Sequence, residues 1–301
     1  MIEIIKSTVN IDFLGKSKLF FIISGVLLIL SIGVIFTKGF NYGIDFAGGT
    51  LVQINFEKEP NLNTLRDAFK EANLGEMVIQ TFGEPNDILI RVEKSEMDLN
   101  DVANIIQSKI AEVAGEQKFT IERVEQVGPQ VGDQLKSKAI MAIIYSLIGI
   151  LIYVSLRFEF MFSLGAVVAL FHDVIITLGV FSFLGKEITL PIVAALLTIV
   201  GYSLNDTIVV FDRIRERIKE SSQKEPIIKI MNKSVNETLS RTILTSGTTL
   251  LAVIALYLFG GEVINGFSFA LLIGIVIGTY SSIGIASSLV YVIKERKKAE
   301  A

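Results

Sequence analysis

Asp206 is the residue of this sequence whose chemistry most needs an explanation. It lies in an otherwise uncharged segment, residues 188–211, that is long enough to cross a bilayer as a helix. An ionised carboxylate in hydrocarbon costs about 2.5 to 3.5 kcal/mol on insertion scales, so such groups usually face a bundle interior or a water-filled path. There they often carry protons or ions. The residue therefore predicts an energy-coupled membrane protein.

Three further ionisable residues belong to the same candidate site. His172 and Asp173 stand in the middle of another apolar segment, and Arg241 stands at the start of a third. Neighbouring helical residues point about 100° apart, so at most one of His172 and Asp173 can face a given neighbour directly. We predict that these three residues and Asp206 form a proton relay.

Each of the three also has a simpler interpretation that the sequence leaves open. His172 can serve as an interhelical hydrogen-bonding group, and Asp173 can be buried against a partner helix. Arg241 is either the cation that pairs with Asp206, if the two helices pack together, or a basic anchor at the membrane surface.

Small polar residues are predicted to support the carboxyl group. Ser203 and Asn205 precede Asp206, and Thr245 and Thr248 stand at a similar depth in the next apolar segment. Such residues allow helices to approach closely and offer hydrogen bonds to a carboxyl group. A carboxyl group that alternates between burial and a cation partner can take up and release a proton near physiological pH.

The elements that must position these residues are six apolar segments. Hydrophobic residues make up 51% of the 301 residues, and the mean hydropathy is +0.58, which exceeds the usual value for a soluble domain. Each segment covers most or all of a hydrocarbon core about 30 Å thick. The predicted spans are residues 19–37, 139–156, 162–184, 188–211, 243–259 and 267–293.

The first span follows Lys6, Lys16 and Lys18, as the apolar region of a signal peptide would. Its apolar run is longer than the usual region of about 7 to 15 residues, and no small-residue cleavage pattern follows closely. We therefore predict an uncleaved anchor.

The distribution of basic residues predicts the orientation. They gather at both termini and in the segment 212–241, whereas the two short loops of the opposite side hold only Lys186. The positive-inside rule assigns the termini and the segment 212–241 to the cytoplasm. The predicted organisation is a cytoplasmic N-terminus with the first helix (1–37), an extracytoplasmic domain (38–137), five further helices (138–293) and a basic cytoplasmic tail (294–301).

The long insert alternates between strand and helix patterns. Apolar residues alternate with polar ones at 52–56 and 88–92, whereas residues 62–72 and 99–113 each have one apolar helical face. The order βαββαβ predicts a ferredoxin-like α+β domain with helices on one side of an antiparallel sheet. Residues 38–136 contain 17 acidic and 10 basic residues, a net charge of −7, which argues against nucleic acid as a partner.

Two glycine-containing segments flank the insert, GFNYGIDFAGGT (residues 39–50) and VGPQVGD (residues 127–133). They are either turns at a domain boundary or hinges on which the domain tilts. No Gly-Lys-Ser/Thr follows the first segment, so it is a poor phosphate-binding loop. The predicted hinge residues are Gly43, Gly48, Gly49, Gly128 and Gly132.

The residues give no support to enzyme chemistry. They contain no zinc-ligand set, nucleophile elbow or pair of carboxylates in a cleft pattern. The sequence also contains no cysteine, so it has no disulfide framework and no thiolate metal site. We expect no catalytic activity, cofactor or metal ion.

Several motifs resemble the SecF members of the bacterial SecD/SecF protein-export family, within the resistance-nodulation-division superfamily. GIDFAGGT follows the first span, VGPQVG precedes the second, and FHD (171–173) lies in the third. VGYSLNDTIVVFDRIRE (200–216) and SVNETLSRTILTSGTTLL (234–251) run through the fourth span and into the fifth. The last two blocks are specific, and the resemblance covers nearly the whole chain.

The resemblance implies a multi-pass protein of the bacterial cytoplasmic (inner) membrane that forms half of a transporter, with SecD as the other half. It implies a role in the Sec pathway, in which proton flow assists late steps of export after SecYEG and SecA have acted. Further implied partners are YidC and YajC and the unfolded exported polypeptide. The family's proton-carrying Asp falls on Asp206, and its functional Arg falls on Arg241.

Two other functions stay open at the level of sequence. One is a proton-coupled exporter of small molecules or lipids, and the other is a membrane assembly factor in which Asp206 only holds helices together. The sequence also leaves open whether sodium replaces protons.

Overall fold

The computed structural model describes residues 10–70, 74, 77–92, 99–115, 117–221 and 225–300, without the side chains of 99, 100 and 297–300. The predictions that concern Lys6, the side chain of Leu99 and the end of the basic tail therefore lie outside the described residues.

Helices make up most of the chain. They are, in order, α1 (Ser17–Lys38, after a 3-10 turn at Leu14–Lys16), α2 (Ile44–Ala47), α3 (Leu62–Lys70), α4 (Leu99–Ala114), α5 (Pro129–Arg157), α6 (Phe160–Leu184), α7 (Leu190–Glu220), α8 (Ile227–Phe259), α9 (Glu262–Ser281) and α10 (Ser288–Glu300). A π-helical segment, Ser282–Ser287, joins α9 to α10 without a break. The strands are β1 (Asn41–Tyr42), β2 (Gly49–Phe56), β3 (Met77–Phe82), β4 (Glu84–Val92), β5 (Phe119–Val127) and β6 (Glu187–Ile188).

Six helical stretches in the described part of the chain are long and apolar enough to cross a membrane. They are Leu14–Lys38, Pro129–Arg157, Phe160–Leu184, Leu190–Glu220, Ile227–Phe259 and Glu262–Arg296. Each contains one of the six predicted spans or nearly all of it. The prediction of a polytopic α-helical membrane protein with an inserted α+β domain is confirmed.

Three of these helices extend well beyond their apolar segments. α5 begins at Pro129, inside the glycine-containing segment 127–133, because proline suits the first position of a helix. α7 and α8 continue through most of the segment 212–241, which the charge pattern predicts as a loop. There, Glu237 of α8 forms ion pairs with Arg213 and Arg217 of α7. Hydropathy marks the part of a helix that lipid can cover and does not mark where the helix ends.

The inserted domain has the predicted order of strands and helices. Its sheet is antiparallel throughout, with the strand order β3-β4-β2-β5. Alternate residues of the central strands, such as Val52, Ile54 and Ile90, pack in one core with Leu65 of α3 and Ile106 of α4. The order βαββαβ and this strand arrangement are those of a ferredoxin-like sandwich.

The chain divides into two compact units. One contains residues 1–40, 142–186 and 191–301, and the other contains residues 41–141 together with 187–190. The second unit therefore includes the short loop between α6 and α7 as well as the inserted domain.

Within the first unit, the most deeply buried helices are α6, α7 and α9, the last together with the π-helical segment and α10 that continue it. About half of the apolar part of each is buried, against 17% or less for α1, α5 and α8. Glycines permit close approach in this centre. A Cβ atom on Gly274 would lie 2.2 Å from Ile199 Cδ1, and one on Gly278 would lie 2.9 Å from Ser203 Cβ. Larger residues at these positions would separate the helices that carry the polar site.

Candidate functional site

Asp173 is enclosed by hydrogen-bonding groups from three helices. It lies on α6 and has no exposed surface. Its Oδ2 atom accepts hydrogen bonds from the hydroxyls of Ser203 on α7 (2.7 Å) and Ser281 on α9 (2.8 Å). Its Oδ1 atom lies 2.9 Å from His172 Nδ1. Both carboxyl oxygens are thus engaged, and the side chain ties α6 to α7 and α9.

The imidazole of His172 lies within hydrogen-bonding distance of the carboxyl group of Asp173, its neighbour in the sequence. Its ring is buried and is tilted over Tyr280 with 6.2 Å between ring centroids. The Nε2 atom has no hydrogen-bond partner among the described residues. Tyr280 in turn donates to Phe20 O (3.1 Å) and lies 2.9 Å from Ser24 Oγ. The pair His172 and Asp173 therefore belongs to the packing between α6, α9 and α1.

Asp206 is buried as well, with 3% of its surface exposed, but has fewer partners. Ser246 of α8 donates a hydrogen bond of 3.2 Å to Asp206 Oδ2. Thr279 of α9 lies behind Ser246, with 2.8 Å between the two hydroxyl oxygens. The hydroxyl of Thr245 and the charge of Arg241 also act on the Asp206 carboxyl group. This carboxyl group is held mainly by one helix, α8.

Arg241 is exposed and lines a cleft at the charged ends of α7 and α8. The cleft has a volume of about 740 Å³ and is also lined by Asn205, Asp212, Arg213 and Glu237. Arg241 and Asp206 form no direct ion pair, although both belong to the part of the chain that the structure describes. Asn205 precedes Asp206 in the chain, whereas Asp206 itself does not line the cleft.

The two carboxyl groups share α7 and α9. Ser203, which binds Asp173, precedes Asp206 on α7 by just under one turn, about 4.5 Å along the helix axis. Ser281 binds Asp173, and Thr279, two residues earlier on the same helix, belongs to the Asp206 network. A displacement of α7 or α9 consequently acts on both sites.

The supporting residues are distributed differently from what the sequence pattern indicates. Ser203 donates to Asp173 and not to Asp206. Thr245 donates to the carbonyl oxygens of Arg241 and Thr242, and Thr248 donates to those of Leu244 and Thr245, so both bond to their own helix. Of the two, only Thr245 also acts on the Asp206 carboxyl group. Asn205 is exposed in the cleft.

Three hydroxyl residues of the site, Ser246, Thr279 and Ser281, are missing from the predicted set. Two of them lie in the polar run Thr279 to Ser282, directly before the π-helical segment. A run of hydroxyls in an apolar span was the available signal, but small residues in that span also suit plain helix packing.

The predicted hinge glycines lie in the second compact unit. A Cβ atom on Gly48 would lie 2.9 Å from Pro129 Cα, and one on Gly132 would lie 3.1 Å from Gly48 N and Phe46 O. Gly48 and Gly49 have φ angles of 74° and 124°, which favour glycine. Gly43 approaches Thr189, whereas a Cβ atom on Gly128 would meet nothing within 4 Å. The two glycine-containing segments therefore pack against each other through Gly48 and Gly132.

The site offers no obvious place for a metal ion. No group of three His, Asp or Glu side chains among the described residues is arranged to hold one. The chemistry available is that of carboxyl groups, hydroxyls, one imidazole and one guanidinium.

A buried carboxyl site in a six-helix bundle with an inserted ferredoxin-like domain defines a class of membrane transport proteins, and comparisons with known proteins identify which. A family model described as protein export membrane protein SecD/SecF, C-terminal, matches residues 106–296. A second model, the SecD/SecF GG motif, matches residues 33–60.

Two relatives that match nearly the whole chain identify the subunit within this family. Protein translocase subunit SecF of Calditerrivibrio nitroreducens is 58% identical, over 99% of this chain and 98% of the relative. Protein translocase subunit SecF of Vibrio alginolyticus is 49% identical, over 96% of this chain and 91% of the relative. The chain belongs to the SecF family of protein translocase subunits. These are components of a transport machine and not enzymes, as the sequence predicted.

The fold has solved counterparts. The crystal structure of SecDF, a translocon-associated membrane protein from Thermus thermophilus, is 39% identical with a TM-score of 0.87 and covers 97% of this chain. A crystal structure of SecDF in a super-membrane-facing form has a TM-score of 0.72 at 40% identity. This chain covers 40% of each of those longer chains.

Proposed function

We propose that this SecF subunit uses the proton motive force to assist late steps of protein export across the bacterial cytoplasmic membrane, and that Asp206 is the group that takes up and releases the proton. The observation that supports this most directly is the setting of Asp206. It is a buried carboxyl group with one close hydroxyl partner, a cation in its vicinity and a polar cleft beside it.

Proton exchange requires access from water and a change of electrostatic surroundings. The cleft lined by Asn205, Arg213 and Arg241 supplies the access on the proposed cytoplasmic side. Arg241 is close enough to act on Asp206 but is not paired with it, so the two side chains can approach and separate. Protonation of Asp206 removes this attraction, and the contact between α7 and α8 then changes.

The available energy sets a lower limit on the number of protons. One proton that crosses a potential of 100 mV supplies about 2.3 kcal/mol. A shift of a two-state equilibrium from 1:99 to 99:1 requires about 5.5 kcal/mol. At this potential three protons, or two with an additional pH gradient, are therefore needed for a complete switch.

In this proposal His172 and Asp173 position the relay and do not exchange protons with water. Both oxygens of Asp173 are engaged, and its bonds to Ser203 and Ser281 fix α7 and α9. Since Ser203 lies just under one turn from Asp206, this fixed point determines where Asp206 stands.

The proposed partners and orientation follow from the family. SecD supplies the other half of the transporter, in agreement with the solved SecDF chains of which this chain covers 40%. SecYEG, YidC or YajC and the unfolded exported polypeptide complete the machine. Both termini lie in the cytoplasm, in accordance with the basic residues at the ends, and the inserted domain lies on the outer side.

The test is proton uptake in vesicles that contain this chain with its SecD partner, with and without an unfolded export substrate. Asp206→Asn keeps the size of the side chain and an acceptor for Ser246 but cannot ionise. We expect substrate-stimulated uptake in the wild type and only background uptake in Asp206→Asn, with unchanged folding and SecD binding.

Thr248→Ala is the matched control, because Thr248 is an exposed hydroxyl of α8 that bonds only to its own helix.

Export without proton uptake in the wild type, undiminished in Asp206→Asn, would contradict the proposal. If the Asn variant loses SecD binding instead, the function of an assembly factor is the better account. Replacing the proton gradient by a sodium gradient in the same vesicles distinguishes the two coupling ions.

A further inference from the structure

The first turn of α7 is held by a side chain from a distant part of the sequence. The backbone N–H of Leu190 donates a hydrogen bond of 2.8 Å to Asp45 Oδ2. Asp45 belongs to the glycine-rich segment GIDFAGGT. The first N–H groups of a helix lack partners within the helix, and an acidic group stabilises that end. The N-terminus of α7, the helix that carries Asp206, is therefore capped by a carboxylate of the segment that leads into the inserted domain.

Backbone pairing strengthens the same connection. β1 pairs in parallel with β6, and Gly43 N donates to Ile188 O at 2.9 Å. A Cβ atom on Gly43 would lie 2.6 Å from Thr189 Cγ2, so only glycine allows this approach. The loop between α6 and α7 thus adds a strand to the segment that enters the inserted domain.

Arg91 connects this pairing to the sheet of the inserted domain. It lies on β4, and only 7% of its side chain is exposed. Its Nη1 atom donates to Glu187 Oε1 at 2.9 Å and to Tyr42 O at 3.3 Å. The ammonium group of Lys136, on α5, lies 4.0 Å from the centre of the Tyr42 ring. The ion pair is partly buried, since 27% of the Glu187 side chain is exposed, and removal of Arg91 takes this partner from the carboxylate.

We propose that Asp45, Arg91 and Glu187, together with β1 and β6, form a latch that joins the start of α7 to the inserted domain and stays closed through the transport cycle. Residues 187–190 belong to the same compact unit as the inserted domain, which agrees with a rigid connection. A shift of α7 that follows proton exchange at Asp206 then moves the base of the domain directly. The role of the latch rests on the proposed proton-driven function.

Breaking the latch is expected to uncouple export from proton uptake. Arg91→Gln removes the ion pair, and Asp45→Ala removes the acceptor for Leu190 N. We expect about tenfold less export per proton in each variant, as is typical of a coupling between two sites. Asp45→Asn retains an acceptor oxygen and is expected to stay close to the wild type. Arg123→Gln is the control, because Arg123 pairs with Glu125 on its own strand and both are partly exposed.

Locking the latch tests whether it stays closed. The sequence has no cysteine, so a disulfide between Gly43→Cys and Thr189→Cys forms without competing thiols. The substitution of Thr189 also removes the methyl group that a side chain at position 43 would meet. We expect the oxidised double variant to export at the rate of its reduced form.

The outcomes separate this proposal from the proposed function. Export that stops on oxidation and returns on reduction would show that the latch opens during the cycle. Export at the wild-type level in both Arg91→Gln and Asp45→Ala would show that the latch does not couple α7 to the inserted domain. Either result overturns the latch. Absence of proton uptake in the wild type would instead overturn the proposal that protons are the coupling ion. The export rates of the disulfide-locked variant and of the Arg91 and Asp45 variants would still show whether the latch stays closed and whether it transmits movement.

Discussion

Asp173 and Asp206 are both buried carboxyl groups in membrane-spanning helices, yet their surroundings differ in a way that indicates different roles. Asp173 has two hydroxyl partners and an imidazole, from its own helix and two others. Asp206 has one close hydroxyl partner and a nearby guanidinium, and its neighbour Asn205 lines a cleft. A carboxyl group with both oxygens engaged is suited to hold helices together. One with few partners is suited to change its protonation.

Buried polar atoms without a hydrogen-bond partner among the described residues lie near both carboxyl groups, with His172 Nε2 beside Asp173. The buried hydroxyls of Thr207, which follows Asp206, and Thr242, which follows Arg241, have no hydrogen-bond partner among the described residues. Buried polar groups are usually paired, so these hydroxyls mark a region that can accept a water molecule or a second helix arrangement.

The largest effect on stability is expected from Asp173→Ala. The substitution leaves the hydroxyl of Ser203 and the ring of His172 without their Asp173 partner, and it leaves the hydroxyl of Ser281 only the carbonyl oxygen of Gly278. Loss of one partner of a buried polar network costs about 3 to 5 kcal/mol, compared with about 1 to 3 kcal/mol for Asp206→Ala. Thermal unfolding in detergent, followed by loss of the monodisperse peak, measures both. Equal stability of the two variants would remove the distinction between the sites.

A smaller effect is expected from Gly278→Ala. The new methyl group would lie 2.9 Å from Ser203 Cβ and 3.5 Å from Asp173 Oδ2, so it pushes α9 away from the Asp173 site. Overpacking of this kind costs about 1 to 3 kcal/mol. Gly247→Ala on α8 is the matched control, because nothing lies within 4 Å of a Cβ atom there. If the control loses as much stability as Gly278→Ala, the close approach of the helices does not explain the cost.

The smallest effect is expected from Ser246→Ala, which removes the hydroxyl that binds Asp206. One hydrogen bond contributes about 1 kcal/mol, which corresponds to about a fivefold change in a rate or equilibrium. We expect proton uptake to change by about this factor without a loss of folded protein. Ser203→Ala is the comparison: its hydroxyl binds Asp173, so it should lower stability more than it changes the uptake per folded molecule.

Much of the fold could be predicted from the sequence because its patterns are long. The alternation in β2 and β4 and the helical stripes of α3 and α4 specify the βαββαβ order, and six apolar segments specify the spans. The ends of α5, α7 and α8 could not be predicted in this way. Their charged extensions continue as helices because pairs such as Arg217 with Glu237 join neighbouring helices, and a hydropathy pattern does not contain that information.

The two carboxyl groups of the site could be predicted from the sequence, but their hydrogen-bond partners could not. Asp173 and Asp206 stand out because charges are costly in apolar segments. Whether Ser203 binds Asp206 or Asp173 depends on how α6, α7 and α9 are rotated and shifted against one another, which their separate sequences do not specify. The same applies to Arg91 and Glu187, whose pairing joins parts of the chain that are far apart in sequence.

The central claim, that Asp206 exchanges a proton and Asp173 does not, is tested most directly by infrared difference spectroscopy of the carboxylic acid C=O band between low and high pH. The sample is this chain with its SecD partner in lipid, as the wild type, Asp206→Asn and Asp173→Asn. We predict a pH-dependent component of this band in the wild type that is missing from Asp206→Asn and still present in Asp173→Asn, in addition to the signal of the other carboxyl groups that all three samples share. A band that persists in Asp206→Asn and disappears in Asp173→Asn would contradict the account.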